Sequence, residues 1–237
     1  MSKKYCVGLL AFLLALSVGL AAGCGGDGDE GPEKITIQDV PDEEGEPSDT
    51  ASSAPTVTMN GRSVMEGWME SWGYDWEGPV EKDGYHLDYK ELSDDLSQIA
   101  GSFRENVEGL PEGSVTFFKF CFVDFYGDNL SELEGIIDEV IGIVRENGLR
   151  LILGNALPVR KADAPSGVVS EYQGYNSYLL EKSSEDSVWV YDFYGVLAGP
   201  DGYLKPEYDV GDSHLNAAAY SALDKTFFPL LDSMYGR

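Results

Sequence analysis

The chain is poor in cysteine, in histidine and in positive charge, and each shortage excludes something. Its three cysteines stand at positions 6, 24 and 121, so only Cys121 lies beyond the N-terminal segment. A lone cysteine forms no intramolecular disulfide, and the folded part must be held by its core. Cys121 falls in the apolar run Phe117, Phe118, Lys119, Phe120, Cys121, Phe122, Val123. There a thiol behaves as a small buried hydrophobe, and burial works against the thiolate that a nucleophile needs. The two histidines, His86 and His214, have no companions at metal-ligand spacing, which argues against a metal site. Sixteen Lys and Arg against 42 Asp and Glu give a net charge of −26. That balance argues against nucleic acid or an anionic lipid surface as a partner of the folded part. The one apolar run at the N-terminus, Val7 to Leu20, is too short and wrongly flanked for a membrane-spanning helix.

What is present begins with Lys3 and Lys4, that apolar run, and then Ala21-Ala22-Gly23-Cys24. A basic start, an apolar middle and small residues before a cut describe a secretory signal. The last four residues resemble the lipobox of bacterial lipoproteins, with Ala21 where leucine is usual and Leu20 one place earlier. The alternative is an ordinary cleaved signal followed by a chance cysteine. The resemblance implies a signal peptide over 1–23, a lipid on Cys24, and an extracytoplasmic place in a bacterial envelope, with that lipid as the only membrane contact. From Gly25 to Pro55 the chain carries ten acidic residues against Lys34 alone. Low hydrophobicity and high charge predict an acidic, disordered tether over 24–55. Loss of Lys3 and Lys4 with the signal takes the charge from −26 to −28.

Residues 56–237 suit one domain. Thr56–Asn60 reads as a strand and Ser63 to about Trp72 as a helix. Leu92, Leu96, Ile99, Phe103 and Val107 fall at helical spacing, and Ser114–Asp124 reads as one apolar strand. Leu130 to Val144 form an amphipathic helix stopped at Asn147-Gly148. Leu149–Leu153 and Val188–Asp192 read as strands, with a helix from about Ser170 to Leu180 between them and a last helix from Leu215. Gly78–Leu87, with His86, reads as a loop. Buried strands alternating with helices predict an α/β fold with a mainly parallel sheet. In such sheets functional groups gather at the carboxyl ends of the strands.

Two stretches stand at those ends. Asn60-Gly61-Arg62-Ser63 places a serine at a strand-to-helix turn, where its hydroxyl is exposed and its amide can face a developing oxyanion. Gly211-Asp212-Ser213-His214-Leu215-Asn216 places a histidine beside carboxylates, the base half of a nucleophilic triad. Each has a plainer explanation as a capped helix start: Ser63 as one N-cap, Asp212 or Ser213 as the other. Asp124, at the end of its strand, falls close to both.

Together these stretches, with Val190-Tyr191-Asp192-Phe193-Tyr194 and Asp201-Gly202-Tyr203 before the second, resemble the SGNH (GDSL-type) hydrolases. The resemblance implies a three-layer α/β/α fold and ester hydrolysis or acyl transfer, without a metal or other cofactor. It makes Ser63 the nucleophile, His214 the base and Asp212 the orienting acid, with Asp209 as a second candidate acid. The chain departs from the family in three places. Gly-Asp-Ser becomes Gly61-Arg62-Ser63. The acid stands two residues before the histidine rather than three. The Gly-x-Asn-Asp block is replaced by Lys119-Phe120-Cys121-Phe122-Val123-Asp124, a form of K-F-C-[YF]-V-D that is similar to a divergent subgroup. With that asparagine gone, Lys119, Asn155 or the amide of Gly101 are the candidate oxyanion donors. Trp68, Trp72, Tyr74 and Trp76, with Tyr172, Tyr175 and Tyr178, suggest aromatic faces for an O-acetylated carbohydrate, or else packing into the core. The second functional reading is a catalytically inactive SGNH-fold surface lipoprotein that binds a glycan or a protein.

Overall fold

The computed structural model describes residues 54–184 and 187–237. The expected signal peptide, the lipidated Cys24 and the tether as far as residue 53 lie outside the described residues. The chain from Thr56 builds one sheet. Strands β1 (Thr56–Gly61), β4 (Val115–Phe118), β5 (Arg150–Gly154) and β6 (Val188–Tyr191) run parallel, and β3 (Tyr85–Glu91) runs parallel beside β1. The short β2 (Val80–Lys82) pairs antiparallel with β3 at the edge, giving the order β2-β3-β1-β4-β5-β6. Strands β1, β4 and β5 are buried on both faces because helices cover both sides of the sheet, and the polar side chains they carry inward, Thr58, Asn60 and Thr116, are buried with them.

Side-chain alternation assigns the layers. Val57, Met59, Val115, Phe117 and Ile152 face helices α1 (Ser63–Ser71) and α6 (Ala217–Tyr235). Phe118, Leu151 and Leu153 face α2 (Ile99–Val107), α3 (Leu130–Glu146) and α4 (Val168–Lys182). A short α5 (Phe193–Leu197) follows β6. The result is the expected three-layer α/β/α architecture with a mainly parallel sheet.

Three details differ from the expectations. Gly78–Leu87 is largely a hairpin rather than a loop: Asp83 and Gly84, at φ 49° and 79°, make the tight turn, and Tyr85, Leu87 and Tyr89 point inward while His86, Asp88 and Lys90 alternate outward. Asp-Gly is the dipeptide that such a turn favours. The apolar run at 114–124 is a strand only as far as Phe118; its second half curls into a turn because the Asp124 carboxylate accepts the Cys121 amide at 2.7 Å. The final helix starts at Ala217 rather than Leu215, because Asn216 caps it by accepting the amides of Ala218 and Ala219.

Candidate active site

In an open parallel sheet the natural crevice lies where the strand order reverses, outside the carboxyl ends. Here β1 is followed by β3 on one side and β4 on the other, so the crevice opens above β1. Ser63 is the first residue of α1, directly after that strand. The turn needs glycine before it: a Cβ at Gly61 would stand 2.6 Å from the Cβ of Met65, so only a bare backbone lets α1 leave so sharply.

His214 arrives from the far end of the domain on a loop tied mostly to itself. Asp209 Oδ1 accepts the amides of Gly211 and Ser213, both at 2.9 Å, and the Val210 amide donates to the His214 carbonyl at 3.0 Å. Gly211 and Ser213 both have positive φ, 117° and 75°. Glycine adopts that backbone freely. Serine does not, and the buried Ser213 is held there by its bonds to the Arg160 amide and Asp163. The next residue is thereby aimed back over the sheet.

His214 Nε2 lies 3.0 Å from Ser63 Oγ, and its Nδ1 lies 3.0 Å from Asp212 Oδ1. The tautomer with the proton on Nδ1 satisfies both contacts: Nδ1–H donates to Asp212 and the Ser63 hydroxyl donates to Nε2. Asp212 Oδ1 also accepts the His214 amide at 3.2 Å, and these two bonds hold its carboxyl below the usual range. Asp209, the other candidate acid, spends its carboxylate on the loop and has no bond to the imidazole. The capping explanation of this stretch does not hold, since Asn216 is the cap and His214 precedes the helix. Nor does the Ser63 side chain cap α1; Arg62 occupies the N-cap position without a side-chain bond to the helix. Asp212 is nevertheless open to water, its side chain 67% exposed.

Arg62, Ser63, Glu66, Glu91, Asp94, Cys121, Phe122, Val123 and His214 line an open cavity of about 190 Å³. Phe122 meets the His214 ring edge to face at 5.4 Å between centroids. Burial, then the charges of Glu70 and Glu91, push the Glu66 carboxyl up. None of the three expected oxyanion donors is in this lining. Gly101 lies on the exposed side of α2. Asn155 is committed elsewhere, donating to Asp192 at 2.7 Å and accepting the Tyr194 amide at 2.8 Å. Lys119 is buried below the strand ends, packed against Gly61 and Gly154, where burial pulls its pKa down; its Nζ reaches the Phe120 carbonyl at 3.4 Å. Arg62, in the sequence only a departure from Gly-Asp-Ser, lines the cavity beside Ser63; an arginine next to that serine in so acidic a chain is the signal that marks it.

The aromatic residues divide. Trp68 is fully buried among Trp72, Phe117, Tyr191, Phe193 and Phe227, and both tryptophan ring nitrogens donate to Asp224, so these two are core. Tyr172 and Tyr175 are buried on the opposite face of the sheet, and Tyr178 bonds to Asp138 on α3. Tyr74 and the exposed Trp76 pack against Tyr89, whose hydroxyl reaches the Gly61 carbonyl at 3.3 Å, but neither lines the cavity. His86, on β3, lies at the other end of the sheet, its amide bonded to the Pro55 carbonyl at 3.0 Å.

No protein-family model matches the chain, and no curated protein matches it. Solved structures do. A GDSL-like lipase from Bacteroides thetaiotaomicron VPI-5482 superposes with a TM-score of 0.60 at 17% identity, covering 77% of this chain and 90% of its own. A candidate acylhydrolase from Bacteroides fragilis NCTC 9343 gives 0.59 at 19%, covering 75% and 86%. A member of the lipolytic G-D-S-L family from Veillonella parvula DSM 2008 gives 0.57 at 15%, covering 75% and 98%. The shared feature at these identities is the fold, which is that of the GDSL-type lipolytic proteins.

Proposed function

We propose that the protein is a serine hydrolase or acyl transferase acting on esters, with Ser63 as nucleophile, His214 as general base and Asp212 as orienting acid. The observation that carries this reading is the 3.0 Å contact between His214 Nε2 and Ser63 Oγ, made by residues 151 positions apart and backed by Asp212 on the other ring nitrogen. Ser63 Oγ attacks the ester carbonyl as Nε2 takes its proton. The tetrahedral intermediate then expels the alcohol, which receives that proton, and leaves an acyl-enzyme for water or a second alcohol to resolve. The Ser63 amide, at the start of α1, is the donor best placed for the oxyanion. A fluorophosphonate probe tests the assignment: it should modify the wild-type protein at Ser63, as read by mass spectrometry. Modification that survives both Ser63→Ala and His214→Ala would overturn it.

The cavity beside Ser63, about 190 Å³, is smaller than the 300–1,000 Å³ usual for a ligand pocket and favours a short acyl group. Acetyl esters of 4-nitrophenol should be turned over about tenfold or more faster in kcat/KM than octanoyl esters, a difference of roughly 1.4 kcal/mol in transition-state binding. Equal rates would remove the size argument. A carbohydrate as the alcohol is supported by Tyr74 and Trp76 alone. The binding-protein reading draws on one observation, the lack of a side-chain amide in the cavity lining. It predicts no probe labelling at all.

We place the protein at the bacterial envelope on the strength of Lys3, Lys4, the apolar run and Cys24. Cells fed radiolabelled palmitate should incorporate label into the protein, and Cys24→Ala should abolish it. Retained label would overturn the anchor.

A further inference from the structure

We infer that Arg62 is a positioning residue whose buried guanidinium holds both partners of the Ser63–His214 contact in place; this rests on Ser63 being the nucleophile. The Arg62 carbonyl accepts the amides of Met65 and Glu66 at 2.7 and 3.1 Å and so opens α1. Its side chain turns away across the sheet end. Nη2 donates to Asp124 Oδ1, and Nη1 donates to Asp94 Oδ1 at 3.2 Å and to the Asp94 carbonyl at 3.5 Å. The pair with Asp124 is buried, the two side chains 8% and 3% exposed. One guanidinium thereby joins the segments that follow β1, β3 and β4.

The same connection reaches the histidine. Asp124 accepts the Cys121 amide through Oδ2 and thus shapes the turn that contains Phe122, and Phe122 packs edge-on against the His214 ring. Ser63 is the covalent neighbour of Arg62, and the wall behind His214 is the turn Arg62 holds. Proteins of the G-D-S-L pattern carry an acid next to the serine. This chain carries the base there and the acid 62 positions later. Burial opposes the charge on Arg62, but the contacts with Asp124, and then Asp94, outweigh it and keep the guanidinium firmly protonated. Lysine would keep the charge but not the planar fork that reaches two carboxylates at fixed angles.

The test compares wild type, Arg62→Lys and Asp124→Asn in three measurements: thermal melting, kcat and KM on 4-nitrophenyl acetate, and the position of the His214 imidazole resonances by NMR at one fixed pH, assignable with only two histidines in the chain. Misplacing a reacting group by an ångström costs up to about 10²-fold, so Arg62→Lys should lower kcat by about tenfold or more with KM nearly unchanged. In the wild-type background Ser63→Ala should move those resonances; in the Arg62→Lys background it should not, because the contact is already lost. If Arg62→Lys retains kcat within about twofold, or Ser63→Ala moves the resonances equally in both backgrounds, Arg62 serves the fold alone and the inference is wrong. Asp124→Asn gives the same reading if Arg62→Lys fails to fold. A wild type without turnover would count against the hydrolase reading, whereas the resonances still decide the role of Arg62.

Discussion

Ser63→Ala is expected to abolish probe labelling and to lower ester turnover by about 10³-fold or more, down to the background set by binding and the remaining oxyanion donor. The reason is local. Among the described residues Ser63 is the one hydroxyl within hydrogen-bonding distance of His214 Nε2, and the other nucleophile in the cavity lining, the buried Cys121 thiol, makes no hydrogen bond to the imidazole. His214→Ala should cost about as much, and the double substitution little more than either alone, since the groups act as a unit. Asp212→Asn should cost much less than removing a buried acid, because an exposed carboxylate stabilises an imidazolium in competition with water. The measurements are burst-phase kinetics on 4-nitrophenyl acetate and mass spectrometry of the trapped acyl-enzyme. A Ser63→Ala protein that still accumulates acyl-enzyme would place the nucleophile elsewhere.

Trp68→Ala should be the most destabilising single change in the α1 layer, at about 4 kcal/mol within the 3–5 kcal/mol usual for removing a buried tryptophan or phenylalanine. Its ring is fully buried and touches Trp72 just after α1 and aromatic groups from β4, β6, α5 and α6, so no single neighbour can relax into the hole. Its ring nitrogen also leaves Asp224, although Trp72 keeps a bond to that carboxylate at 3.1 Å. Against a total stability of about 5–15 kcal/mol the loss is large. Guanidinium unfolding should show the midpoint falling with an unchanged slope. Trp76→Ala, at a position 56% exposed, should change stability by no more than about 0.5 kcal/mol. Equal losses at the two positions would contradict this division between core and surface.

The fold was legible because its signals are local. The runs at Val115–Phe118 and Leu151–Leu153 leave no face for water, and Leu130–Val144 has the period of a helix lying on a core. Ser63 and His214 were legible from their surroundings: a serine after a strand and glycine, a histidine beside acids. The hairpin at 80–91 is announced by Asp83-Gly84 alone, and with Gly78 nearby the same stretch reads equally well as a loop. What the sequence withheld depends on long-range geometry. Nothing in the order of residues tells that Asp209 serves its own loop while Asp212 faces the ring. Nor does it tell that Asn155 is committed to Asp192, or that Arg62 spans from β1 to the turn after β4. The four tryptophans and tyrosines near Ser63 look alike in sequence; only packing separates Trp68 from Trp76.

The hairpin has one further consequence. A sheet edge is a row of unpaired amides and carbonyls, and a second chain can add to it. Here that edge is β2, three residues long, with Glu81 and Lys82 on it and the reversing Asp83-Gly84 turn immediately after. So short a charged ladder gives an incoming strand few bonds and an unfavourable neighbour. Strand-to-strand self-association is discouraged on that side, even for many copies held at high local density.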